Sequence, residues 1–230
     1  MSTRSTHLSL LALAVTMGLM AAHAQAQSGP NLIANGSFEA PSNVDITGYC
    51  YGSACGVSDW TLVDPTHGGA VLIGANNADW GTPSSLPNAN LIDGDHVLGL
   101  QANGATLSQT LTLGAGVYEL SWVDANRSNY GSSQSYQVSF NGVQLGTDFS
   151  TVRNSATGWQ AHSLSFTLAQ GATADLSFQG LSAQDATSFI DNVSLKQTGV
   201  VAAVPEPQTY ALMAACLGVL GLSMRKRIGA

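Results

Sequence analysis

Apolar and polar residues alternate along most of the middle of the chain, and the period of that alternation is two. Leu107, Leu111 and Leu113 alternate with Ser108, Thr110 and Thr112 across 106–113. Gly114-Ala115-Gly116 then turns the chain into 117–123, where Tyr118, Leu120 and Trp122 share one face. Tyr136, Val138 and Phe140 alternate with Gln137 and Ser139 ahead of Asn141-Gly142, a hairpin signal. Leu164, Phe166 and Leu168 repeat the pattern before Gln170-Gly171, and Leu176 and Phe178 follow. Short apolar runs at 70–73 and 96–100, a 58–64 segment with Trp60 and Leu62, and a closing 188–196 segment extend the series. An opening segment, 31–39, places Leu32, Ala34 and Phe38 in phase. The chain therefore predicts roughly nine or ten short antiparallel strands and no helix between 30 and 203. One buried and one wet face per strand is the pattern of two packed sheets. The predicted fold is all-β, an antiparallel jelly-roll β-sandwich.

Two long segments, 40–57 and 74–95, interrupt this regularity. Both are rich in Gly, Asn and Ser, and both carry aromatics: Tyr49, Tyr51 and Trp80. Loops of such length in a compact domain are usually functional or disordered.

The ends differ from the middle. Met1 to His7 is polar with Arg4, Leu8 to Ala22 is apolar, and 22–26 sets small residues at alternating positions. That order predicts a secretory signal peptide over 1–26, cut after Ala24 or Ala26. At the other end stand Val204-Pro205-Glu206-Pro207, an apolar run at 210–224, and Arg225-Lys226-Arg227. As a helix the apolar run spans about 22 Å at ~1.5 Å per residue. A bilayer core is ~30 Å, so it reads as a thin single transmembrane helix. The basic tail belongs in the cytoplasm by the positive-inside tendency. The body, 27–198, then lies outside the inner membrane, with 199–203 as a spacer. Pro205 and Pro207 remove two N–H donors and push Val204 and Glu206 toward extended backbone. A protease or transpeptidase needs such a peptide, and a plain proline-broken linker before an anchor would look the same.

In order and position, the VPEP motif, short apolar helix and basic tail of 204–230 resemble the PEP-CTERM sorting signal of Gram-negative bacteria. That resemblance implies an exosortase as partner, an integral-membrane enzyme that processes the tail. It also implies a transient inner-membrane anchor, then the cell surface or extracellular matrix. It covers about the last 25 residues and speaks of sorting, not of activity.

Charge narrows the partners. Residues 27–203 hold thirteen Asp and Glu against Arg127, Arg153 and Lys196, a net charge of −10. Phosphate binding needs clustered Lys and Arg, which argues against nucleic acid and anionic lipid. Neutral polymers and cations match better. Cys216 lies in the C-terminal apolar run and reads as a small apolar filler. Cys50 and Cys55, separated by four residues that include Gly and Ser, read as a local disulfide loop in an oxidising compartment. A metal pair is the alternative, without a His or further Cys at zinc-like spacing.

Asp191 sits in Phe189-Ile-Asp191-Asn-Val193-Ser-Leu195, in phase with Phe189, Val193 and Leu195. A carboxylate among apolar neighbours is costly unless hydrogen-bonded or ligated. Backbone N–H groups at a sheet corner or a bound calcium would each satisfy it. Asp93-Gly94-Asp95-His96 reads as a polar turn or as half a calcium loop. The body histidines (67, 96, 162) form no HExxH pattern, and no Gly-x-Ser-x-Gly elbow occurs. Glycoside hydrolysis needs two carboxylates about 5–9 Å apart, and no pair is singled out. A non-enzyme is expected.

The opening 31–39 (NLIANGSFE), Trp60, the Gln109 strand ending in 114–121 (GAGVYELS) and the closing 190–195 (IDNVSL) resemble the galactose-binding-like jelly rolls. Many carbohydrate-binding modules belong to that family. The resemblance implies a structural calcium tying the first segment to the last strand, with Glu39 and Asp191 as side-chain ligands. It transfers no sugar-contacting residue. From their chemistry, the loop residues Trp80, Tyr49, Tyr51, Asn76, Asn77 and Tyr130 are the candidates for stacking on sugar faces and bonding to hydroxyls. Packing of Trp80 onto its own sandwich is the competing reading. Trp122 and Trp159 are assigned to the core. The leading expectation is non-catalytic binding or organising of polysaccharide or exopolymer. The alternatives are a structural matrix or biofilm protein without a ligand, and a secreted polysaccharide hydrolase.

Overall fold

A computed structural model of the chain describes residues 29–40, 43–65, 68–153, 157–183 and 185–201, together with Ala215. The predicted signal peptide, the VPEP motif, the 210–224 helix (apart from Ala215), Cys216 and the basic tail lie outside the described residues. Among the described residues no helix is long and apolar enough to cross a membrane.

The described residues form twelve strands: β1 (Tyr49–Tyr51), β2 (Thr61–Val63), β3 (Ala70–Gly74), β4 (His96–Gln101), β5 (Thr106–Leu113), β6 (Gly116–Asn126), β7 (Gln134–Phe140), β8 (Val143–Gln144), β9 (Phe149–Thr151), β10 (Gln160–Leu168), β11 (Ala172–Gly180) and β12 (Thr187–Gly199). They make two antiparallel sheets. The first runs β1-β3-β4-β12-β6-β10; the second runs β2-β5-β11-β7-β8, with β9 also on β7. The result is the all-β jelly-roll sandwich that the alternation predicts.

Between the sheets lies the main core, which includes Leu107, Leu111, Tyr118, Leu120, Trp122, Tyr136, Val138, Phe140, Leu176 and Phe178. The strands with clean alternation supply it, because each has one face inward. β3 and β4 are buried at every residue. Their unbroken apolar runs are explained by a cover on the other face of the first sheet. There Val71, Ile73, Val97, Val123, Ala125, Trp159 and Phe189 make a second apolar cluster with Trp80, roofed by Leu86, Ala89, Leu91 and Ile92. The 74–95 insertion is thus a packed lid of three short 3-10 turns. Trp159 locks it, its backbone N–H donating to the Pro87 carbonyl at 2.9 Å and its indole N–H to the Pro83 carbonyl at 3.0 Å. Trp159 is core as expected, but in this outer cluster.

Three expectations change. The opening segment is not a strand: Asn35 and Phe38 have positive φ (49° and 61°). Leu32 and Ala34 are consequently exposed, while Ile33 and Phe38 are buried. The segment is held by Gln109, whose buried amide donates to the Ala34 carbonyl (2.9 Å) and accepts from the Ala34 N–H (3.0 Å). The N–H groups of Gly29 and Leu32 donate to the carbonyls of Gln197 and Leu195 (3.0 and 2.7 Å), clasping the opening segment to the end of β12. Second, the 40–57 segment contains a strand, β1. Third, Asp191 does not share a face with Val193 and Leu195. The β6–β12 register shifts between Asp191 and Ser194, with Asn192 at φ 51°. This bulge inverts the phase, so Ile190, Val193 and Leu195 enter the main core while Phe189 joins the outer cluster.

Candidate functional site

At one end of the sandwich, three separated segments bring their aromatics together. Tyr49 and Tyr51 flank β1, Trp80 ends the first turn of the lid, and Tyr130 lies in the loop after β6. The Tyr49 and Tyr51 rings lie 5.7 and 6.1 Å from Trp80, both edge-on, and 5.9 Å from each other. Edge-to-face contacts at these separations suit the quadrupoles of the rings. Arg127 binds the cluster together: its guanidinium carbon is 4.3 Å from the Trp80 centroid and 5.1 Å from that of Tyr130.

The loop of Arg127 is stapled to the lid by hydrogen bonds. Arg127 Nη2 donates to the Asp79 carbonyl and Nε to Asn129 Oδ1 at 3.0 Å. Asn129 Nδ2 donates to the carbonyls of Ala78 (3.1 Å) and Asp79 (3.2 Å). Partial burial lowers the Arg127 pKa; the charges of Asp185 and the nearby tyrosines oppose that shift. Beside the rings runs a polar chain. Tyr51 donates its hydroxyl to Gln101 Oε1 (2.9 Å), and Gln101 Nε2 donates to Asp185 Oδ1 (2.6 Å). Burial, then the charges of Tyr49, Asp185 and Asp64, hold the Tyr51 phenol above its ordinary range, against the pull of Arg127.

Not every predicted residue is available to a ligand. Trp80 is 3% exposed and Asn77 is 3% exposed. Asn77 accepts from the Trp80 N–H (3.2 Å) and donates to the Thr47 carbonyl (2.6 Å), so it caps the turn. Asn76 is exposed, and its Oδ1 accepts from the Ser84 hydroxyl at 2.6 Å. Trp80 and Asn77 are therefore supports rather than contact surface. Tyr49 (46% exposed) and Tyr130 (56%) present their rings to solvent, and Tyr51 is half-buried between. Arg127, Gln101 and Asp185 were absent from the sequence-derived set. Arg127 did carry a signal, being one of only three cationic residues in the 27–203 body.

Cys50 and Cys55 are bonded, with Cα atoms 5.5 Å apart, and close the turn that follows β1. This fixes the chain directly after Tyr51.

Glu39 and Asp191 gather at the opposite end of β4, around the Asp93–His96 turn. Glu39 Oε1 accepts from the N–H groups of Asp95 (2.8 Å) and His96 (2.7 Å). Its Oε2 lies 3.0 Å from His96 Nδ1. Asp191 Oδ2 accepts from the Asp93 N–H at 2.8 Å, while Oδ1 is buried without a hydrogen-bond partner. Burial pushes the Asp191 carboxyl well above the usual range; the Asp93 and Asn192 N–H groups pull it down, and the charges of Asp93 and Glu39 add to the rise. Asp191 thus suits a cation by its orphaned oxygen, whereas Glu39 Oε1 already accepts from two N–H groups and Oε2 faces the His96 ring. Among the described residues no group of three or more His, Cys, Asp or Glu could hold a metal. Backbone carbonyls would have to complete a calcium shell of 6–8 oxygens.

Residues 203–227 match the family described as the PEP-CTERM protein-sorting motif. The body is also similar to several solved structures. One is TmCBM61 in complex with β-1,4-galactotriose (17% identity, covering 73% of this chain and 98% of that one, TM-score 0.46). A second is a family 35 carbohydrate binding module from Clostridium thermocellum (14%, 64% and 97%, TM-score 0.41). A third is a putative sugar binding protein from Bacteroides thetaiotaomicron (13%, 73% and 99%, TM-score 0.42). At such identities the likeness says nothing of this chain's ligands. No curated protein matches the chain in sequence.

Proposed function

We propose that this chain is an exported, non-catalytic polysaccharide-binding protein, delivered by an exosortase to the cell surface or extracellular matrix. The observation that carries the reading is two exposed rings, Tyr49 and Tyr130, set around buried Trp80 and half-buried Tyr51 and Arg127. Sugar C–H faces stack on rigid aromatic rings, and a few well-placed polar groups then fix orientation. Asp185 stands exposed beside the rings as an acceptor for hydroxyls, held there by the buried Gln101 amide. Two solvent-facing rings suit a chain of sugars passing across them better than a small molecule enclosed in a cavity.

The test is binding of the full-length chain, in mild detergent, to a glycan array and to exopolysaccharide. Saturable binding that weakens about fivefold in each of Tyr49→Ala and Tyr130→Ala, by the loss of one stacking contact of ~1 kcal/mol, and tenfold or more in the double variant is the expected result. Absence of binding to every polymer would overturn it and favour a structural matrix protein.

Calcium belongs to the same reading. The orphaned Asp191 Oδ1 supports a cation between Asp191 and Glu39, where bound calcium would supply positive charge joining the opening segment to β12. Its test, the effect of chelator on melting, is given below.

A further inference from the structure

The first sheet ends in an edge that nothing described here covers. β10 is nine residues long, Gln160 to Leu168. It pairs with β6 through nine consecutive residues without a bulge. Its other side has no strand among the described residues. The other sheet margins are short: β1, β2 and β9 have three residues each and β8 has two. Edge strands are normally kept from pairing by shortness, proline, charge or a bulge. β10 has no proline, no Lys, Arg, Asp or Glu, and no bulge.

A second observation lies on the same strand. Leu164, Phe166 and Leu168 point toward the main core but remain only partly buried. Phe166 stacks on Tyr118 at 5.5 Å, and His162 stacks on Trp122 at 5.2 Å. The margin of the core is therefore only partly closed along β10, where Phe149 meets His162 edge-on at 5.3 Å and Leu164, Phe166 and Leu168 stay half-exposed. On the facing sheet, the β7–β8 hairpin leaves Val143 65% exposed.

We infer that β10 is a self-association edge, pairing antiparallel with β10 of a second copy to continue the first sheet across a two-fold axis. The sequence fits this occupant. With Leu164 on the axis, Ser163 falls opposite Ser165, His162 opposite Phe166, and Ala161 opposite Thr167. At the ends Gln160 falls opposite Leu168. Leu164, Phe166, Leu168, His162 and Gln160 lie on the core side, small residues (Ala161, Ser163, Ser165, Thr167) meet on the other, and no like charges oppose each other. A two-fold contact must match itself in this way. Opposed edge strands cover less than the ~1,200–2,000 Å² of a standard interface, so association is concentration-dependent. The −10 body repels its copy at long range, so added salt strengthens the pair. This inference is independent of the ligand reading.

Sedimentation of the full-length chain in mild detergent, over a wide concentration range, is the test. The expected result is a monomer–dimer equilibrium tightened by salt. The double variant Ser163→Lys/Ser165→Lys, which sets ammonium groups opposite one another, should weaken it about tenfold or more at unchanged melting temperature. Amide exchange along 160–168 should slow with concentration in the wild type and not in the variant. A chain that stays monomeric overturns the inference. So does a dimer indifferent to the lysines, which would place the contact elsewhere, for instance in the 210–224 segment.

Discussion

Arg127 lies with its guanidinium carbon 4.3 Å from the ring centroid of Trp80, and the same side chain reaches back to the Asp79 carbonyl. One residue thus closes the lid and roofs its only tryptophan. Arg127→Ala should cost about 1–2 kcal/mol, combining a partly desolvated cation–π contact with a lost hydrogen bond. Trp80 would gain water contact, so a lower melting temperature should come with red-shifted tryptophan emission. Arg127→Lys should fall between, since an ammonium keeps the charge but not the planar fork. Unchanged emission in the alanine variant would show that Arg127 does not shield Trp80.

Gly36 is a packing necessity. A Cβ there would sit 2.1 Å from the Val193 carbonyl oxygen, while the Val193 N–H donates to the Gly36 carbonyl at 2.9 Å. Gly36→Ala must push the opening segment off β12, at a cost of about 2–3 kcal/mol or more. The urea midpoint should drop with little change in slope. A wild-type midpoint would mean that the clasp is loose.

A buried polar chain crosses the main core. The Trp122 indole N–H donates to the Tyr136 hydroxyl (2.7 Å), which donates to Asp124 Oδ2 (2.7 Å); His162 Nε2 contacts the other carboxylate oxygen at 2.9 Å. Burial, then the Asp124 charge and the hydrogen bond to it, hold the Tyr136 phenol well above its ordinary value. In the unfolded chain that phenol ionises near pH 10. Its contribution is therefore complete below about pH 10 and is lost as the pH rises toward the native value. Tyr136→Phe should lower stability by about 1–3 kcal/mol at neutral pH, by stranding Asp124 and the indole. The variant should also show a shallower fall in melting temperature above about pH 10. Parallel alkaline profiles would contradict the assignment.

Chelator decides the calcium proposal. If Glu39 and Asp191 hold the ion, chelation should lower the melting temperature, because a ligand held only by the native state adds about 2.7 kcal/mol at a hundredfold excess over Kd. Asp191→Asn should abolish the response. In chelator this variant should be no less stable than the wild type, since it removes a buried carboxylate lacking one partner. Equal wild-type melts with and without calcium would remove the ion from the proposal.

The legible parts of the fold are those where local pattern and tertiary environment coincide. The 106–113 alternation becomes β5 residue for residue, and Asn141-Gly142 turns β7 into β8 as the dipeptide demands. Asp191 shows where period-two reading fails: one bulge at Asn192 reverses the phase, and no composition marks it. The lid was partly legible. Unbroken apolar runs in β3 and β4 require a cover on both faces, and the insertion between them was the available cover. Of the two readings of Trp80, packing onto its own sandwich is the one the structure bears out, and pattern alone does not choose between them because a loop with its own small core carries no strand or helix period. The convergence of Tyr49, Trp80 and Tyr130 depends on strand order, which pairwise alternation does not encode.

β12 links the two ends of the molecule. It begins at Thr187, next to the aromatic cluster and Asp185, and ends at Gly199, a few residues before the sorting motif at 203–227. On either side it is laddered to β4 and β6. Tension applied beyond Gly199 against a load held at the aromatic end would run along this strand. It would act as shear on two hydrogen-bond ladders rather than peeling bonds one at a time.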